Sequence, residues 1–128
     1  MKEIDLRTVS TAALAYLGDG VLELLVRRHL VERGYGSSKS LNAHARAFVS
    51  APAQAAAMER VLPYLTESEE GVFKRGRNIG HTRTPKNATV AEYRSATGME
   101  ALFGYLYAAG DEQRLQQLFD IAYEEEIK

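Results

Sequence analysis

Residues 11–30, TAALAYLGDGVLELLVRRHL, constrain the fold more than any other stretch of this chain. Placed at about 100° per residue they form a helix that is apolar on nearly every side, yet carries a carboxylate, Asp19, near its middle. Ala15, Leu22, Glu23, Val26 and Leu30 share the side of Asp19, while Leu14, Leu17, Val21 and Leu25 make a second apolar stripe. A helix that is apolar all round is usually a buried one. A buried carboxylate is costly unless a cation, several hydrogen bonds, a metal or a proton compensates it. Gly18 and Gly20 flank the acid, and each weakens a helix by roughly 1 kcal/mol relative to alanine. Two glycines in an otherwise strong helix predict that something packs closely against the backbone there. The plainest account is a packing notch with a salt-bridged aspartate; the sharper one is a site.

The rest of the chain is read as helical, with no alternating strand pattern. Gly34-Tyr35-Gly36 ends the first helix, placed at 11–33, and Ser37 or Ser38 caps a second at about 39–49. Ser50-Ala51-Pro52 reads as a cap followed by a first-turn proline, opening a third helix at about 52–62. Thr66 with Glu69, and Thr89 with Glu92, match capping boxes. They open helices running to about Arg77 and over 90–108. Gly110 ends the latter, and 111–127 is expected to be a last amphipathic helix with Leu115, Leu118, Phe119, Ala122 and Tyr123 inward. Residues 78–88, NIGHTRTPKNA, are the one long irregular stretch. Short connections between helices predict an all-α bundle, one domain spanning 1–128.

The 90–108 helix repeats the anomaly of the first. Glu100 shares a side with Tyr93, Ala96, Thr97, Gly104 and Tyr107, and Gly98 stands in the same helix against propensity. Two interior helices, each with a carboxylate beside glycine, can pack so that the acids meet. Two carboxylates in one site cannot both stay ionised without compensation: one takes a proton, or a cation sits between them. An oxygen-only pair without His or Cys suits Mg²⁺ or Mn²⁺ rather than zinc. An arginine or lysine beside each acid would serve equally well at this point.

Charge is unevenly placed. The net charge is −1, which alone argues against a generic nucleic-acid binder. Yet residues 74–94 hold six cations (Lys74, Arg75, Arg77, Arg83, Lys86 and Arg94) against Glu92, a local charge of +5. Residues 111–128 hold six acids against Arg114 and Lys128, a local −4. The absence of cysteine removes thiolate metal sites and fits a reducing compartment. No apolar run reaches the ~18 residues of a membrane span, and MKEIDLRTVS has no signal-peptide pattern, so a cytoplasmic location is expected.

LAYLGDGVLELLVRRHL resembles the signature helix of the ribonuclease III family, built on a Leu-Gly-Asp core. ATGMEALFGYLY resembles that family's second acidic motif, with its Glu-Ala-Leu-x-Gly run. RGRNIGHTRTPKNATVAEYRSATGMEALFGYLY is similar to the Mini-ribonuclease III group, which lacks a double-stranded-RNA-binding domain. The resemblance spans about residues 10–125. It implies a ribonuclease III-type endonuclease domain, with Asp19 and Glu100 as catalytic carboxylates holding Mg²⁺. The larger enzymes carry further acids where this chain has Ala12, Ala15 and Thr97, so its site is leaner. Glu23 and Thr97 are left as outer-shell candidates.

By resemblance, the expected function is Mg²⁺-dependent endonucleolytic hydrolysis of double-stranded RNA, leaving 5′-phosphates. The expected setting is maturation of the 23S ribosomal RNA precursor by a homodimer. Duplex RNA is read mainly through phosphates and 2′-hydroxyls, so the basic segment is the expected contact surface. Arg75, Arg77, Arg83 and Lys86 are the candidates there. Arg94, inside the Glu100 helix, is expected to pair with an interior acid. His29, His44 and His81 are expected to be structural, surface or RNA-contacting residues. Three other readings stand beside this one: a non-catalytic RNA-binding or ribosome-associated protein of the same fold, a helical protein–protein module, and a hydrolase of small phosphorylated substrates.

Overall fold

The computed structural model describes residues 1–79 and 86–127, and among these every regular element is helical. In chain order they are α1 (Thr11–Glu32), α2 (Ser38–Val49), α3 (Ala51–Val61), a 3₁₀ turn (Leu62–Tyr64), α4 (Glu67–Arg77), α5 (Val90–Ala108) and α6 (Glu112–Ala122).

Each start is held by a side chain that satisfies backbone N–H groups otherwise left without partners. Ser10 accepts from the Ala13 N–H, Ser37 from Ser40, and Asp111 from Arg114. Ser50 closes α2 and caps α3 by accepting from Ala53, with Pro52 in the first turn. Both capping boxes form: Thr66 and Glu69 exchange hydrogen bonds at α4, and Thr89 and Glu92 at α5. Gly110 follows α5 with φ +74°, a conformation that costs glycine nothing and most residues dearly.

α1 and α5 cross at the centre of the molecule with their backbones in contact. A Cβ placed on Gly18 would lie 1.6 Å from the Glu100 carbonyl oxygen, and one on Gly104 would lie 2.0 Å from that of Leu14. Gly20, by contrast, faces open space, so only Gly18 of the flanking pair is required by packing. α4 meets α5 in a second close crossing. There Gly76 lies against Ala101 and Gly98, and Gly98 lies against the Phe73 ring. The core is then completed by Leu22, Val26, Met58, Val61, Leu102, Phe103, Leu118 and Phe119. Tyr123 is also fully buried, and its hydroxyl donates to the Phe48 carbonyl at 2.8 Å.

α6 is shorter than its amphipathic pattern implies, ending at Ala122 rather than near 127. Arg60 Nη1 donates to the Ala122 carbonyl at 2.7 Å and pairs with Glu126 at 3.1 Å. Glu124, Glu125 and Glu126 would also place three negative charges at the negative end of the helix dipole. The far end of α4 is tied down by a buried ion pair. Arg114 of α6 clasps the Glu69 carboxylate through Nε at 2.9 Å and Nη2 at 2.8 Å, and also donates to the Tyr64 carbonyl. That guanidinium holds the Glu69 carboxyl below the ordinary glutamate range.

The crossing makes a specific demand. Gly18→Ala should destabilise the fold by about 3 kcal/mol or more, because the two backbones must separate to admit a methyl group. Gly71→Ala meets only the tip of the Arg75 side chain, at 3.4 Å, and should be neutral or stabilising by up to about 1 kcal/mol. Urea denaturation of the two variants beside the parent checks the contrast.

Candidate active site

The close crossing brings the two anomalous acids together. Gly18 rests on the Glu100 carbonyl, so the next residue on α1, Asp19, places its carboxylate beside that of Glu100. Both line a surface cavity of about 270 Å³ walled by α1 (Ala12, Ala15, Tyr16), α5 (Tyr93, Thr97) and Ile79. The alanines, at positions where longer acids would fill the space, leave the cavity open.

The electrostatics follow from the geometry. Burial raises the Glu100 pKa to about 8, assisted by the negative charge of Asp19 and by a side-chain hydrogen bond with it. Gln54 opposes the rise by hydrogen bonding to the Glu100 carboxylate. In the absence of a cation the pair is therefore compensated by a proton, one of the two solutions open to adjacent carboxylates. Glu100 keeps it and hydrogen-bonds to Asp19. A divalent cation would displace that proton, so the donor set fits a hard, oxygen-seeking ion. Among the described residues no cluster of three or more His, Cys, Asp and Glu side chains is arranged around a metal position.

The other candidates from the sequence are dispersed. Thr97 lines the cavity, but its hydroxyl donates to the Tyr93 carbonyl at 3.1 Å. Glu23 is not brought to the cavity: it pairs with Arg27 at 2.7 Å and lines a separate groove between α1 and α2. Arg75 is exposed beside Gly71 and Tyr105, and Lys86 is exposed ahead of α5. The Arg77 guanidinium lies 5.7 Å from the centroid of the Phe73 ring. Arg94 does not reach an interior acid; it is exposed and shares a surface hollow with Arg77, Asn78 and Val90. Arg83 and His81 lie outside the described residues. His44 stacks on Tyr35 with ring centroids 3.9 Å apart, and His29 tilts against Phe48 at 5.7 Å.

Sequence reasoning passed over Gln54, hidden in the alanine-rich AQAAAMERVL. A signal was present: Gln54, Ala57, Met58 and Val61 stand at i, i+3, i+4 and i+7, so a polar residue occupies the buried stripe of α3.

Two central helices cross on glycine, and one carboxylate from each meets the other in an open cleft of an all-helical domain. A family model, the Ribonuclease III domain, matches residues 12–111. A Mini-ribonuclease 3 of Symbiobacterium thermophilum is 47% identical over 115 residues, covering 90% of this chain and 88% of that one. A Mini-ribonuclease 3 of Streptococcus pneumoniae is 41% identical, covering 90% and 91% respectively. A crystal structure of a Fusobacterium nucleatum protein superposes with a TM-score of 0.85 at 31% identity, over 98% of this chain and 99% of that one. The chain belongs to the ribonuclease III family, in its Mini-ribonuclease 3 group, and is an endoribonuclease.

The raised Glu100 pKa has a sign that can be tested. The folded value is about 8 against 4.5 for the free side chain, so the native state binds the proton more tightly. The associated stability is fully present below pH about 4.5 and is lost as pH rises through about 8. In EDTA, the parent should lose stability between pH 5 and 9 relative to Glu100→Gln, which cannot titrate. Parallel pH profiles in thermal denaturation would contradict the assignment.

Proposed function

We propose that this endoribonuclease cleaves double-stranded RNA with Mg²⁺, or Mn²⁺ in its place, and that Asp19 and Glu100 are its catalytic carboxylates. The observation that carries the reading is the meeting of these two acids in an open cleft, one of them carrying a proton that a cation would replace. A divalent ion held by the pair would supply charge neutralisation at the scissile phosphate and a more acidic water for in-line attack. The chain's own residues do the rest. Asp19 and Glu100 would hold the ion from two helices whose backbones interlock. Tyr16 and Tyr93 bound the cleft on its two helices.

Arg75, Arg77 and Lys86, with Arg83, form the proposed contact surface for the duplex. All four belong to the segment that carries the local +5, and phosphate contacts dominate duplex RNA recognition. Maturation of a 23S ribosomal RNA precursor, which the sequence resemblance implies, belongs to the same proposal. A cytoplasmic setting is supported by the cysteine-free composition, and among the described residues no helix is long and apolar enough to cross a membrane.

A homodimer belongs to the same proposal, because cutting both strands in one encounter needs two sites and the chain holds one such pair of acids. The exposed side of α1 supports it. Tyr16 is 87% exposed, Leu24 63% and Val31 63%, an apolar edge that begins beside Asp19. Leu14 and Val21 are instead buried in the protomer's own core, and Leu17 is half-buried. A two-fold assembly on this edge would set two clefts side by side. Sedimentation equilibrium at micromolar protein should return twice the 14.2 kDa chain mass. A monomer that still cuts both strands in one binding event would exclude the assembly.

Asp19→Asn should abolish cleavage of labelled duplex in Mg²⁺, as EDTA does for the parent, with single-stranded RNA left uncut by both. The same variant should still bind duplex, which makes it the probe for the basic surface. Neutralising Arg75 and Lys86 in that background should flatten the log–log salt dependence of binding by about 0.7–0.9 per lost phosphate contact. Full activity of Asp19→Asn would exclude the assigned site, and an unchanged slope would exclude the assigned surface.

A further inference from the structure

Arg94 carries a charge of the basic segment to which the reading above gives no role, and it does not stand alone. With Arg77 it lines a surface hollow of about 430 Å³ between the end of α4 and the first turns of α5, where Asn78, Val90 and Ala91 complete the wall. Among the described residues no acid lines this hollow, and neither guanidinium forms an ion pair. Arg7, Arg27, Arg28, Arg60 and Arg114 each rest on a carboxylate instead. Arg77 is half-buried, and the Phe73 ring, its centroid 5.7 Å from the guanidinium, steadies the charge. Arg94 is exposed. Two like charges lining one recess repel each other until an anion enters between them, and the planar fork of a guanidinium matches phosphate oxygens in pairs.

The hollow adjoins the acid cleft along two stretches of chain. Asn78 lines the hollow and Ile79 the cleft, and on α5 Arg94 lines the hollow and Tyr93 the cleft. Tyr93, Thr97 and Glu100 recur at i, i+4 and i+7 on one stripe of that helix, while Val90, Ala91 and Arg94 make the stripe beside it. Arg94 precedes Glu100 by six residues on the same helix, about 9 Å along its axis. Arg75, by contrast, lines a different recess with Gly71 and Tyr105.

We propose that Arg94 and Arg77 hold a phosphodiester of the strand being cut, a few nucleotides from the scissile bond, and so set the register of cleavage. Duplex RNA is read chiefly through its backbone. The fixed rise of α5 converts a phosphate held at Arg94 into a strand position held at Glu100, with no loop between the two. Arg75 lacks that link and adds affinity alone.

The inference rests on duplex cleavage at Asp19 and Glu100, and one experiment tells the two apart. Short duplexes carrying a single neutral methylphosphonate, placed at each backbone position in turn, are cut in Mg²⁺ by the parent and by Arg94→Gln. Cleavage is single-turnover, with products mapped to the nucleotide. In the parent, at least one linkage away from the scissile bond should slow cleavage by about 10-fold or more, since misplacing reacting groups by about 1 Å can cost 100-fold. In Arg94→Gln the same linkage should matter by less than about twofold, and cuts should spread to neighbouring bonds. Arg75→Gln should need more RNA for half-maximal cleavage while keeping the parent's interference pattern and cut positions. Each interference factor is a ratio within one protein, so a lower folded fraction in a variant cancels. Should Arg94→Gln be too slow to map, Arg77→Gln reads the same linkage from the other side of the hollow.

If every linkage that slows the parent slows both variants equally, the hollow holds no phosphate and the inference is overturned, while cleavage at the acid pair stands. If the parent leaves duplex uncut in Mg²⁺, the underlying reading falls and this inference with it. Removing the terminal 5′-phosphate of the substrate should change nothing. A rate that follows that group would assign the hollow to strand ends and overturn the internal register.

Discussion

The contact of the α1 and α5 backbones governs both the packing and the chemistry of this protein. Gly18 sits on the Glu100 carbonyl and Gly104 on that of Leu14, so each helix supplies the notch into which the other's backbone fits. No side chain intervenes, and the distance between the helices is set by main-chain atoms that have no rotamers to adjust. Asp19 is covalently next to one notch, and Glu100 carries the carbonyl that fills it. The main-chain positions from which the two carboxylates extend are therefore set by the same contact that holds the core together. A site built this way is rigid without requiring a large apparatus of supporting residues.

Two glutamates in the molecule illustrate how surroundings decide the state of one side-chain type. Glu69 is buried against the Arg114 guanidinium, which holds it ionised and below the ordinary range. Glu100 is pushed up to about 8, first by its burial and then by the neighbouring Asp19 carboxylate. The first pair is saturated: both oxygens of Glu69 are occupied by Arg114 and the Thr66 N–H, and nothing is left to bind. Among the described residues no cation lines the cleft onto which the second pair opens. Burial alone does not mark a functional acid; burial with an unmet need for positive charge, facing solvent, does.

The distribution of charge follows the same division. In the sequence, cations gather over residues 74–94, while acids gather at α6 and beyond. The acidic terminus is partly neutralised within the fold, since Arg60 takes Glu126 together with the last carbonyl of α6. Its remaining negative charge would repel a polyanion from that end.

How much of this was legible in the sequence depends on the range of the interaction concerned. The helix starts were readable almost to the residue, because a cap or capping box is decided by side chains three positions apart. Ser50, Thr66 and Thr89 act as their local patterns require. The meeting of Asp19 with Glu100 was legible as one outcome of two glycine-flanked acids in central helices, but Asp19 itself lies exposed, so the cost of burial falls on Glu100. What tertiary structure alone decided is which groups supply the answer. Local pattern could not tell Gly18 from Gly20, because only the partner helix distinguishes a notch from an open surface. It could not place Glu23 or Arg94, whose helical positions allowed the interior but whose charges reached solvent at lower cost. It overran the end of α6, where Arg60, remote in sequence, takes the last carbonyl. Gln54 and the Glu69–Arg114 clasp were hidden for the same reason. Composition and periodicity determine which faces must be buried, but the identity of the atom across the interface is set by contacts between residues tens of positions apart.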